Sequence, residues 1–222
     1  MNFASLKSQA AKFMVTNFVQ KNTYEIVPPS NDKGGLYLGN HNSRKDFKEL
    51  SALKITAVLR IARKLEEDAA EDELVEKEYA KLGIINLYIA ADDVSDYNIA
   101  QHFQETDKFI SSNIQNGNVF VHCIAGASRS VTAIVHYLML TTKQSFETCY
   151  DVVKKKKQFV LINTGFMKQL KESEKEILPQ VIDEKPTEKD SKEAQASNLQ
   201  THSDSSTQKD ISPLQAPKAS EQ

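Results

Sequence analysis

Cysteine is scarce in this sequence, because the 222 residues contain only Cys123 and Cys149. Two cysteines cannot build the disulfide framework of a small secreted domain. A structural zinc site is not expected either, because there is no Cys-x2-Cys pair and only His122 lies beside Cys123. We therefore expect the protein in a reducing compartment, namely the cytoplasm, with the nucleus as a further location.

Long apolar runs are also lacking. No stretch approaches the ~18–20 apolar residues that a membrane-spanning helix needs. Lys12 and Thr16 interrupt the apolar residues near the N-terminus, which argues against a secretory signal. Asn2 does not fit N-myristoylation, and the final Ala-Ser-Glu-Gln is not a prenylation box. We expect no stable membrane insertion.

The sequence has no large excess of charge of either sign. Its 28 basic and 30 acidic residues give a formal net charge of −2. Nucleic-acid-binding domains are usually strongly basic, so nucleic acid is not an expected partner. The oligomeric state is left open.

Arginine is rare among the basic residues, with only Arg44, Arg60, Arg63 and Arg129 present, so an arginine inside a motif stands out.

Residues 118–140 have the pattern of a strand, a tight loop and a helix. The β-branched and aromatic run Val119–Val121 predicts a buried strand. Small residues dominate the next positions, and apolar residues recur at helical spacing from Val131 onward. A loop that leads into a helix N-terminus gathers backbone N–H groups around one point. The pattern therefore predicts an anion-binding site.

The loop residues suit a reactive thiol that faces a bound phosphate. Gly126 tolerates unusual backbone angles, and Arg129 can offer two parallel N–H donors to a tetrahedral anion. Near a helix N-terminus and a guanidinium, Cys123 is expected to have a pKa in the range of about 3.5–7.5 and to be ionised at neutral pH. A thiolate in that position can attack phosphorus.

This segment resembles the signature of the cysteine-dependent protein phosphatases, in which a His-Cys pair, five residues and an arginine form the phosphate-binding loop. The closer resemblance is to the dual-specificity branch, and specifically to its small, atypical members without a rhodanese-like docking domain. The matching residues are His122-Cys123, Ala125-Gly126, Ser128-Arg129-Ser130, Tyr137-Leu138-Met139, the Leu36–Gly39 segment and the closing segment 162–174, where Ile162 replaces the usual proline. The resemblance implies an α/β fold whose central, mostly parallel sheet is flanked by helices on both faces.

The resemblance also implies roles for individual residues. Cys123 is the expected nucleophile, Ser130 is the expected hydroxyl donor to its sulfur, and His122 is expected to order the loop. Phosphate would be bound by the loop residues Ile124, Ala125, Gly126, Ala127, Ser128 and Arg129. The expected reaction needs no metal and no cofactor.

A general acid is expected among the aspartates that follow the predicted strand 84–89. In the family this acid commonly lies five residues before an Asn-Leu pair. Counting back from Asn98-Ile99 favours Asp93. Neighbouring residues of an extended segment point to opposite sides, so only one of the adjacent pair is expected to face the loop. Asp92 is the alternative to Asp93, and Asp96 is a remote third.

The implied function is hydrolysis of phosphate monoesters on phosphotyrosine and phosphoserine or phosphothreonine proteins through a phosphocysteine intermediate. The loop lacks the lysines that phosphoinositide phosphatases usually carry, which favours protein substrates. One alternative is a phosphatase acting on a non-protein phosphate ester, and another is a catalytically weak phosphoprotein-binding module. A redox enzyme of the arsenate-reductase or rhodanese type is disfavoured, because paired resolving cysteines are lacking.

The sequence divides into three parts. Residues 1–29 are expected to form an N-terminal segment, 30–178 the catalytic domain and 179–222 a disordered polar tail. The apolar spacing over 1–21 is that of a helix expected to pack on its own domain, with a membrane-surface helix or a transit peptide as the alternative. Within the domain, the acidic run 66–76 is interpreted as a solvated surface. Lys154–Lys157 are interpreted as the end of a helix, with a nuclear-import tag as the alternative. Cys149 is interpreted as a core residue, with a resolving thiol as the alternative.

Overall fold

The computed structural model describes residues 22–63 and 69–178. Its strands are Thr23–Val27 (β1), Leu36–Gly39 (β2), Ile55–Ala62 (β3), Ile85–Ala90 (β4) and Asn118–His122 (β5). Its α-helices are Phe47–Ala52 (α1), Ala69–Lys81 (α2), Phe103–Asn113 (α3), Arg129–Thr142 (α4), Phe146–Lys156 (α5) and Thr164–Ile177 (α6), with short 3-10 turns at Ser43–Lys45 and Ile99–His102. None of the helices in these two ranges is long and apolar enough to cross a membrane.

The strands form one sheet in the order β1-β2-β5-β3-β4. Only β1 and β2 are antiparallel, whereas β5 pairs in parallel with β2 and β3, and β3 pairs in parallel with β4. In a parallel sheet the carboxyl ends of the strands meet at one edge, where functional groups collect. The central strand β5 therefore delivers Cys123 to the middle of that edge.

Helices cover both faces of the sheet because alternate strand residues point to opposite sides. In β5, Val119 and Val121 belong to the larger core with α3, α4, α5 and α6. The residue between them, Phe120, belongs to a smaller core with α1 and α2 on the other face. Residues 129–139 of α4 are all buried, which makes it the central helix of the larger layer. These observations confirm the expected fold class.

The sheet begins earlier than the sequence predicts. Thr23–Val27 pairs with β2 as an antiparallel edge strand, so the expected domain boundary at residue 30 is wrong. The proline pair at Pro28-Pro29 lies in the connection between the two strands, where the missing N–H groups cost no sheet hydrogen bonds. The predicted helix over 1–21 and the predicted tail over 179–222 lie outside the described residues.

Two residues of the acidic run pair with arginines in a partly buried ionic network. The Arg44 side chain is 2% exposed and contacts Glu71 at 2.6 Å and Asp72 at 3.0 Å. Asp72 also contacts Arg60 at 2.5 Å. The Glu71 and Asp72 side chains remain 39% and 23% exposed, so they lie at the surface but pair with arginines beneath it. The network ties α2 to the sheet near β3.

A buried histidine links three helices of the larger layer. His136 of α4 lies with its Nδ1 2.8 Å from Asp107 Oδ2 of α3 and its Nε2 2.7 Å from Ser173 Oγ of α6. Its ring also stacks on Phe103 with 3.8 Å between centroids. The carboxylate can only accept, so the Nδ1–H group donates to it.

Replacing Asp107 by alanine is expected to lower the free energy of unfolding by about 1–3 kcal/mol, because it leaves a buried imidazole N–H without an acceptor. Urea denaturation of wild type and variant measures this change. The matched control is Asp151→Ala, which removes an exposed carboxylate paired with Lys154 at 3.2 Å and is expected to change stability by about 0.5 kcal/mol or less. Equal effects of the two substitutions would contradict the assignment.

Candidate active site

The loop between β5 and α4 folds around the Cys123 sulfur. Cys123 is only 1% exposed and follows directly after His122, the last residue of β5. Gly126 has φ +64°, and a Cβ built on it would lie 2.4 Å from the carbonyl oxygen of Gly39. Only glycine meets both requirements without strain. The predicted strand, loop and helix are all present, with the helix beginning at Arg129 and not at Val131.

Several donors converge on Cys123 Sγ. The Gly126 amide and the Ser130 hydroxyl each donate to it at 3.2 Å. Burial works to raise the pKa of Cys123, but the Ser130 hydroxyl and amide, the Arg129 charge and the Ala127 amide together lower it below the usual thiol value. Hydrogen bonds to a charged form favour that form. The direction of this shift agrees with the lowering of the thiol pKa that the sequence predicts.

His122 is neutral and structural. Burial lowers its pKa to about 3, so the imidazole carries no charge at physiological pH. Its Nδ1 lies 3.2 Å from the Cys123 carbonyl oxygen, and its ring stacks on Phe120 at 5.4 Å. These contacts fix the backbone beneath the nucleophile, which agrees with the expectation that His122 orders the loop.

Arg129 is held beside the loop with part of its guanidinium available. Its Nη1 donates to the Ala91 carbonyl oxygen at 3.0 Å, and its Nε lies 3.4 Å from Asp93 Oδ2. Nε is buried but has no hydrogen-bond partner among the described residues. An unpaired buried donor is costly. A phosphate oxygen above the loop would supply the missing acceptor.

The structure separates the two candidate acids. Asp93 Oδ1 accepts from Ser128 Oγ at 2.7 Å and from Asn163 Nδ2 at 2.8 Å, which places its carboxyl group against the loop. Asp92 instead approaches the exposed side chain of Arg63, with 3.6 Å between Oδ1 and Nε. Asp93 therefore lies beside the cysteine loop, whereas Asp92 points to the protein surface.

Sequence reasoning missed Lys157 as a site residue. The lysines at 154–156 lie in the last turn of α5, as predicted. Lys157, one residue later, donates from Nζ to the carbonyl oxygens of Ala125 and Gly126 at 3.1 and 2.5 Å. Its place in a run of four lysines hid this contact, because nothing local distinguishes the lysine that turns toward the loop.

Cys149 lies in the core, as interpreted from its helical position. It is 2% exposed, and burial raises its pKa. Its sulfur lies 3.8 Å from Thr142 Oγ1 and 3.9 Å from the Gln144 carbonyl oxygen. A buried thiol with a raised pKa is a poor nucleophile. The surroundings thus lower the thiol pKa of Cys123 and raise that of Cys149.

Comparisons with known proteins agree with this geometry. The family model described as "Dual specificity phosphatase, catalytic domain" matches residues 36–176. The chain is 35% identical over 142 residues to Dual specificity protein phosphatase 22 of Mus musculus, which covers 64% of this chain and 71% of that protein. It is 34% identical over 142 residues to the Homo sapiens protein of the same name, with the same two coverages.

A solved structure shows the same architecture. The human tyrosine phosphatase-like serine/threonine/tyrosine-interacting protein aligns with a TM-score of 0.61 and 26% sequence identity. The alignment covers 72% of this chain and 99% of that chain. The described sheet and helices thus match an architecture already known from experiment.

Proposed function

The chain belongs to the dual-specificity protein phosphatases, and we propose that it hydrolyses phosphate monoesters on phosphotyrosine, phosphoserine and phosphothreonine proteins through a phosphocysteine intermediate. The observation that carries the proposal is the Cys123 sulfur, which accepts from Gly126 N and Ser130 Oγ beside a buried arginine. Buried thiols without such donors have raised pKa values and react slowly.

The first step is attack of the Cys123 thiolate on phosphorus. The S–P bond forms as the bond from phosphorus to the substrate oxygen breaks, and the phosphoryl group moves to the sulfur. The nearly planar phosphoryl group carries negative charge on its three equatorial oxygens. In this proposal the loop amides and Arg129 Nε, which has no hydrogen-bond partner among the described residues, stabilise that charge.

Asp93 is the proposed general acid for the departing oxygen. Its carboxyl group lies beside the loop through Ser128 and Asn163, so a substrate seated over Cys123 brings its ester oxygen toward it. In the second step, water attacks the phosphocysteine while the same carboxylate accepts a proton. Ser130 then donates to the sulfur as it departs as a thiolate.

Protein substrates are favoured over polyphosphorylated lipids by the loop side chains. Ile124, Ala125, Ala127 and Ser128 are uncharged. A headgroup with several phosphates requires cations beside the bound phosphate, and Lys157, which contacts the loop, donates to loop carbonyls instead. Because the reaction needs a reduced thiol, we expect it to take place in a reducing compartment such as the cytoplasm.

Trapping the intermediate tests the proposal. Wild-type protein is mixed with p-nitrophenyl phosphate in excess EDTA, quenched rapidly into denaturant and digested for peptide mass spectrometry. A phosphoryl group is expected on the peptide that contains Cys123, and none is expected on the Cys149 peptide, which serves as an internal control. Turnover with a phosphoryl group on another residue would refute the mechanism. Binding of a phosphopeptide without any turnover would instead identify a phosphoprotein-binding module.

A further inference from the structure

The carbonyl oxygens of the cysteine loop are all held from outside the loop. The Ile124 carbonyl accepts from the His41 amide at 3.0 Å, the Ala127 carbonyl from the Leu161 amide at 2.9 Å, and the Ser128 carbonyl from the Thr132 amide at 2.8 Å. A peptide group is planar, so its N–H points away from its C=O. Carbonyls anchored outside therefore help to turn the loop amides toward the sulfur.

The two remaining carbonyls depend on one side chain. Lys157 Nζ donates to the Ala125 carbonyl oxygen at 3.1 Å and to the Gly126 carbonyl oxygen at 2.5 Å. The other three anchors are backbone amides, which persist whatever the side chain. The middle of the loop is thus the part whose orientation depends on a residue that can be substituted.

Contacts outside the loop also hold Lys157 in position. Its own amide donates to the Val153 carbonyl oxygen, which closes the end of α5. Its ammonium group lies 5.7 Å from the centre of the Tyr24 ring of β1. The side chain is half-buried, whereas the neighbouring Lys155 is exposed. Ordering a lysine side chain costs conformational entropy, so repeated contacts are needed to hold it.

We propose that Lys157 is a positioning residue of the phosphatase reaction, which holds the Ala125 and Gly126 peptide groups so that the loop amides face the thiolate and the transferred phosphoryl group. This inference rests on the proposed function of Cys123. It assigns no substrate contact to Lys157, because the ammonium group bonds to the outer side of the loop.

The positive charge of Lys157, like its hydrogen bonds to the loop, favours the thiolate form of Cys123. Desolvation lowers the pKa of Lys157, and the negative charge on Cys123 partly offsets that effect. The sulfur is also acted on by the Gly126, Ala127 and Ser130 amides, the Ser130 hydroxyl and the Arg129 guanidinium. His122 is neutral, and Asp93 reaches the site beside Arg129. Removing the Lys157 cation should therefore raise the pKa of Cys123.

Two variants and a control test this inference. Lys157→Met keeps an unbranched apolar stem but removes the donors, Lys157→Arg keeps a charged donor, and Lys155→Met makes the first substitution at an exposed neighbour. For Lys157→Met we expect kcat/KM to fall about 10- to 100-fold, mostly in kcat, which is less than the 10²–10³-fold loss from removing a direct oxyanion donor. Lys157→Arg should recover most of this loss, and Lys155→Met should behave as wild type.

A second measurement separates positioning from a general loss of structure. The rate of Cys123 alkylation by iodoacetamide is followed against pH, and its midpoint should move to higher pH in Lys157→Met alone. Thermal unfolding of each variant shows whether the fold persists. The inference is overturned if Lys157→Met matches Lys155→Met in both kcat and the alkylation midpoint, or if KM rises while kcat stays unchanged. A wild-type protein without turnover would instead overturn the proposed function.

Discussion

Replacing Cys123 by serine is expected to abolish hydrolysis of phosphate monoesters while leaving phosphoprotein binding intact. A serine hydroxyl fits the space of the thiol and can keep the hydrogen bonds from Gly126 N and Ser130 Oγ. It is not ionised at neutral pH, however, and so cannot attack phosphorus. We expect kcat to fall by at least about 10⁴-fold, since removing the nucleophile of a covalent enzyme costs on the order of 10⁶ in kcat.

The chain supplies its own control for this experiment. Cys149→Ser makes the same substitution at the other buried cysteine, which lies in the core outside the cysteine loop. That variant should keep its kcat on p-nitrophenyl phosphate, although it is expected to lose some stability. Binding of a phosphotyrosine peptide to Cys123→Ser, measured by calorimetry, should remain close to that of wild type. Full turnover by Cys123→Ser would exclude Cys123 as the nucleophile.

The pattern of residues 118–140 predicted the central part of the site because its signals are local. A buried strand, a run of small residues and a helical apolar period follow one another along the chain. Each can be recognised within a few residues, and together they specify where the backbone amides must gather. The structure shows that arrangement, with the Cys123 sulfur at its centre.

The parts that sequence reasoning missed depend on contacts between distant segments. Lys157 reaches carbonyls more than thirty positions earlier in the chain, and Glu71 pairs with Arg44 across 27 positions. Each residue belongs to a charged run that has exposed members, such as Lys155 and Glu73. Charge patterning identifies such a run as a surface but cannot indicate which member contacts a distant segment.

The early start of the sheet escaped detection for a different reason. The strand Thr23–Val27 is short, and its burial does not follow a strict alternation. Edge strands pair on one side only and tolerate polar residues, so their sequence pattern is weak. The prolines after it indicated a turn, but the pairing with β2 became visible only in the structure.

The spacing along the sequence favours Asp93 as the general acid, and three side chains hold its carboxylate beside the loop. Ser128 and Asn163 donate to one of its oxygens, and the Arg129 guanidinium lies near the other. Asn163 belongs to segment 162–174, which carries part of the family resemblance. This segment therefore contacts the candidate acid. Among the described residues, Asp92 has no contact with the closing segment. Its ion pair is with Arg63.

Asp93→Asn is expected to reduce kcat by about 10²–10⁴-fold on phosphoserine and phosphothreonine peptides, the range typical of general acid catalysis. Asparagine has nearly the same shape but cannot transfer a proton to the departing oxygen. The loss should be much smaller for p-nitrophenyl phosphate, because nitrophenolate departs without protonation.

Asp92→Asn is the matched control for the general acid. It removes a charge from the neighbouring residue, whose carboxylate lies at the surface near Arg63, and it should leave kcat on the phosphopeptides within about twofold of wild type, because exposed ion pairs contribute little. A normal rate for Asp93→Asn combined with a slow rate for Asp92→Asn would reverse the assignment. An equal loss with nitrophenyl and alkyl leaving groups would show that Asp93 positions Arg129 and does not donate a proton.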